Sequence, residues 1–61
     1  MTIFIVEHEM QGRPFFETIR GVEEIDLDSM FSNVQTLWVC DQEEEVIAVE
    51  NELRRKHARR G

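Results

Sequence analysis

A chain of 61 residues and 7.3 kDa has room for one small domain and buries only about 60% of the surface it exposes when unfolded. With 41% hydrophobic and 33% charged residues it has the composition of a soluble globular protein rather than a disordered one, and its single cysteine, Cys40, excludes an internal disulfide framework and indicates a reducing, cytoplasmic setting. The net charge of −6 conceals a division: residues 1–53 hold all thirteen acids against Arg13 and Arg20, whereas residues 54–61 hold Arg54, Arg55, Lys56, Arg59 and Arg60 and no acid.

The longest apolar run, Ile3-Phe4-Ile5-Val6, falls far short of the roughly 18–20 residues of a membrane span. Neither a basic region before it nor a small-residue cleavage site after it suggests a signal peptide. Its content of Ile, Phe and Val predicts a strand over about 2–10, with Phe4, Val6, His8 and Met10 on one face and Ile3, Ile5, Glu7 and Glu9 on the other. Gln11-Gly12-Arg13-Pro14 reads as a turn, and residues 15–20 as the returning strand of a hairpin. Pairing Met10 with Phe15 sets His8 opposite Glu17 and Val6 opposite Ile19, and gathers Phe4, Val6, Met10, Phe15 and Ile19 on one face.

Two readings compete beyond Gly21. In one, Asp28 caps a short helix through Ser29–Ser32 and a third strand follows over 34–40, where strand-forming residues are dense. In the other, Leu27, Met30, Phe31, Val34, Leu37 and Trp38 form one stripe of a single helix. Residues 42–59 predict a long helix packed on the sheet: Asp41 stands as its N-cap with Glu44 three residues on, and Val46, Val49 and Leu53 make its apolar stripe, with His57 at the far end. The stripe ends at Leu53, so residues 54–61 are expected to form a basic helical tail that frays and can be deleted without loss of the fold. The fold class that emerges is α+β, in one domain over 1–61.

Chemical motifs are sparse. His8-Glu9 lacks the second histidine of a zinc-protease motif, since Gly12 stands in its place, and Glu7-His8-Glu9 alternates faces and cannot converge on one ion. Cys40 follows apolar Leu37-Trp38-Val39, the setting of a buried thiol. The isolated glycines make no phosphate loop, and so small a core has little room for the roughly 300 Å³ of a small-molecule site. No catalytic residue, metal site or cofactor is expected, and an enzyme is not.

Function is therefore expected from charge. Glu23, Glu24, Asp26, Asp28, Glu43, Glu44 and Glu45 form either a solvated surface or an acidic face that docks on another protein with a basic surface. The second reading makes the chain a non-enzymatic binding module, an inhibitor or modulator. In size and charge it is similar to accessory proteins of phages and mobile elements that bind and inhibit host factors, a likeness that covers no specific residues. The alternative is a small nucleic-acid-binding protein acting through Arg54, Arg55, Lys56, Arg59 and Arg60. So small a core also predicts a homo-oligomer, with Ile3, Ile5, Phe15 and Phe16 at the interface because one helix leaves the Ile3–Ile5 face open.

Overall fold

The central strand, β1 (Ile3–Met10), is apolar on both sides where the chain enters it, and the rest of the fold follows from covering those two sides. The computed structural model describes residues 2–58 and adds β2 (Arg13–Arg20), α1 (Glu24–Met30), β3 (Val34–Cys40) and α2 (Glu43–Ala58). Both β2 and β3 pair antiparallel with β1 to give the order β2-β1-β3. Alternation sends Ile3 and Ile5 to one face, where they pack with Cys40 and with Val46 and Leu53 of α2. Phe4 and Val6 pack with Leu27 of α1 on the other. The architecture is the expected α+β one, with the hairpin, the third strand and the C-terminal helix on the sheet.

Several details differ. The hairpin turn is two residues long, not four: Gln11 (φ 54°) and Gly12 (φ 77°) both adopt positive φ, the primed turn that suits the twist of paired strands. Consequently Met10 faces Arg13, His8 faces Phe15, Val6 faces Glu17 and Phe4 faces Ile19, two residues from the expected register. A shift of two preserves which side chains share a face, so the apolar grouping survives although the partners change. His8 still meets Glu17, as a diagonal contact of 3.1 Å between Nε2 and Oε2. Pro14 is accommodated within β2 because that strand is an edge.

Helix α1 starts earlier than the Asp28 cap would place it. Glu23 is its N-cap, with its N–H donating to Asp26 Oδ2 at 3.3 Å, and Phe31 is already extended beyond its end. The rival single helix across 28–40 is not formed. In α2 the cap lies one residue later than expected: the Gln42 carbonyl accepts from Val46 N–H, and Glu45 Oε1 accepts from the N–H groups of Asp41 and Gln42 at 3.2 and 3.1 Å.

Two corrections concern packing. Ile3 and Ile5 are core residues beneath α2, so the face they share is covered and offers no surface for self-association. Phe16 is half-buried on that same side, whereas Phe15 is exposed on the opposite one. The second correction is that α2 does not lose contact with the sheet after Leu53. Lys56 and His57 reach back to Glu7 on β1, so polar contacts hold the turn the apolar stripe does not reach. Arg59 and Arg60 lie outside the described residues.

Candidate functional site

The two faces of the sheet are covered unequally. Helix α2 has sixteen residues and buries Val46 and Leu53, with Val49 packed alongside. Helix α1 has seven and buries Leu27 alone. Most exposed apolar side chains lie on the α1 side, although Ile47 of α2 is exposed as well: Phe15 is 42% exposed, and Met10, Val34 and Val39 share its face by register. Ile25 on α1 is 74% exposed.

Between α1 and β3 this side opens into a cavity of about 260 Å³. Its floor is Val6, Leu27 and Leu37, its apolar wall is Ile25 and Val34, and its charged wall is Glu24 and Asp28. The two acids are four residues apart, so one face of α1 carries both. An apolar floor with two carboxylates at the rim suits a single apolar side chain flanked by cations.

The seven acids expected to act together do not share a surface. Glu23, Glu24, Asp26 and Asp28 belong to the α1 side, but Glu43, Glu44 and Glu45 open α2 on the other face of the sheet. Glu43 is also engaged within the fold, accepting from Arg20 Nη2 at 2.6 Å and Nε at 3.1 Å. That pairing lowers the Glu43 pKa and raises the Arg20 pKa. Glu45 completes the helix cap, and Asp26 the cap of α1.

The basic residues are likewise divided. Lys56 Nζ donates to Glu7 at 2.9 and 3.2 Å, and His57 Nε2 lies 3.0 Å from Glu7 Oε2. Arg54 donates to Asn51 Oδ1 at 3.3 Å and lies 3.9 Å from Glu50. Arg55 is exposed.

In the sequence Glu7 reads only as one member of the alternating polar triplet Glu7-His8-Glu9. It is 3% exposed. Burial pushes its pKa up, but the contacts with His57, Lys56 and Thr36 outweigh that and hold it below the ordinary carboxylate value. The signal was available: Glu7 continues the Ile3–Ile5 face, and His57 continues the Val49–Leu53 stripe, so the two patterns meet.

The remaining chemistry is sparse. Cys40 is buried, and burial with nearby Glu45 and Asp41 raises its thiol pKa, which disfavours the nucleophilic thiolate. Among the described residues no three His, Cys, Asp or Glu side chains gather as a metal site, and no helix is long and apolar enough to cross a membrane. Comparison with protein-family models, curated proteins and solved structures returns no match.

Proposed function

We propose that this chain is a non-enzymatic protein-binding module, an inhibitor or modulator that docks its α1–β3 groove on a basic partner. The observation that carries the reading is the 260 Å³ cavity whose apolar floor lies beside Glu24 and Asp28. A partner inserts one apolar side chain over Val6, Leu27 and Leu37, while neighbouring Lys or Arg residues pair with the two carboxylates. The short α1 and the exposed Ile25 and Val34 leave this side open, whereas α2 closes the other.

The test is a chemical-shift titration of the isotopically labelled chain with short lysine-rich peptides bearing a single leucine or phenylalanine. Shifts are expected at Glu24, Asp28, Val34 and Leu37, weakening with added salt. They should be lost in Glu24→Lys/Asp28→Lys. Shifts confined to α2, or binding unchanged by that charge reversal, would sink the reading. A gel-shift assay with DNA and RNA at two salt concentrations is the counter-test: retention there would transfer the function to the Arg54–Arg55 end of α2.

A further inference from the structure

Among the described residues, the outer edge of β3 has none of the usual protections along its regular part. From Thr36 to Cys40 it pairs with β1 without interruption, and Val34-Gln35-Thr36-Leu37-Trp38-Val39-Cys40 contains no charge, no proline and no glycine. The one irregularity in the ladder lies at the Gln35 end, opposite Glu7 and His8. Edge strands ordinarily carry charges, proline or a covering segment, because alternate backbone N–H and C=O groups point outward and invite another strand. The opposite edge is protected in this way, by Arg13, Pro14, Glu17 and Arg20 on β2.

We infer that the β3 edge is a self-association surface, where two copies of this chain pair antiparallel about a two-fold axis into one six-stranded sheet. Pairing centred on Trp38 sets each Trp38 against its copy, Leu37 against Val39, and Thr36 against Cys40. Every side chain then meets one on its own side of the sheet. Val39, 55% exposed in the single chain, gains an apolar neighbour.

Charge favours the antiparallel orientation over the parallel one. Asp41 directly follows the C-terminal end of β3, whereas Gln35 near its other end is uncharged. In the antiparallel pair Asp41 lies across from Gln35 of the second copy, about 20 Å along the strands from the other Asp41. That is beyond the screening length of about 8 Å at physiological salt. A parallel, in-register pair would set the two Asp41 carboxylates side by side. The self-association expected from so small a core thus moves from the Ile3–Ile5 face, which α2 covers, to the β3 edge. The inference rests on this edge, not on the α1–β3 groove, and its test needs no other partner.

Sedimentation equilibrium of the full chain, from micromolar to hundreds of micromolar, should approach twice the 7.3 kDa chain mass and no more. Raised salt should strengthen the association, because two acidic chains repel. Val39→Lys and Val39→Glu, which set like charges two residues apart across the axis, should each weaken it by about tenfold or more. Mixing the two variants should restore it. Phe15→Glu, on the other edge, should leave it unchanged. In the unmodified chain, amide-exchange protection at Thr36–Cys40 should rise with concentration while that of β2 does not, a readout that needs no variant to fold. A monomer throughout, a mass beyond the dimer, variants at Val39 that associate like the parent, dissociation by Phe15→Glu, or protection indifferent to concentration would each overturn the inference.

Discussion

Glu7 Oε2 on the central strand lies 3.0 Å from His57 Nε2 in the last turn of α2, across a separation of fifty residues. The carboxylate is almost fully buried, whereas Lys56, its other partner, has its side chain 59% exposed. The cluster is therefore asymmetric. If the carboxylate is lost, Lys56 swings into water; if both Lys56 and His57 are lost, the carboxylate stays buried with only Thr36 beside it. Removing the partners should cost more than removing the acid. We expect Lys56→Ala/His57→Ala to lose about 3 kcal/mol of stability, in the range for an uncompensated buried charge. Glu7→Gln, which keeps the shape and an acceptor, should lose about 1 kcal/mol. Urea denaturation of the two variants decides the order, and a reversed order would mean that the carboxylate is more hydrated than its burial implies.

The same group sets a pH dependence. The folded-state pKa of Glu7 is lowered from the ordinary 4.5, so near and below that pH the unfolded chain binds the proton more readily than the folded one. Its contribution is fully present above the unfolded value and is lost as pH falls through the lower folded value. Stability should fall on acidification below about pH 4.5, and Glu7→Gln should flatten that part of the profile relative to the parent. Urea midpoints measured from neutral pH downward provide the check. A parallel decline in both proteins would assign the acid sensitivity to other carboxylates.

The contrast between what the sequence displayed and what it hid has a physical pattern. Strand density in Val34–Cys40 and the acidic opening of α2 are local features, and the elements form where those features lie. The hairpin register depended on the turn, and Gln11 is a residue rarely found at positive φ, so a two-residue turn was not evident from composition. Glu23 as the cap of α1 was masked by Asp28, a stronger capping residue at the wrong place. The candidate site was legible only as charge. Glu24 and Asp28 become a site because a long-range packing event, α1 settling beside β3, supplies the apolar floor between them. The run Glu43–Glu45, equally prominent in the sequence, is drawn into an ion pair and a helix cap on the other face.

The basic end of α2 offers the sharpest separation of local from tertiary reasoning. On local grounds the turns beyond Leu53 should fray, since isolated helical turns are marginal in water and side-chain pairs add only tenths of a kcal/mol. Tertiary contacts argue otherwise, because Lys56 and His57 satisfy Glu7 and the His57 ring meets Phe16 edge-on at 5.6 Å. Deleting residues 54–61 removes all of these contacts at once and leaves the buried carboxylate to Thr36 alone among its pKa-lowering partners. We expect that truncation to cost about 3 kcal/mol, a large share of what so small a domain can hold. A second truncation ending at Ala58 keeps both partners and should retain most of the parent's stability. Thermal unfolding followed by circular dichroism compares the three chains. Equal stability of the 54–61 deletion and the parent would show that the Glu7 cluster does not anchor the helix, and would return the last turns of α2 to the role of a solvated end.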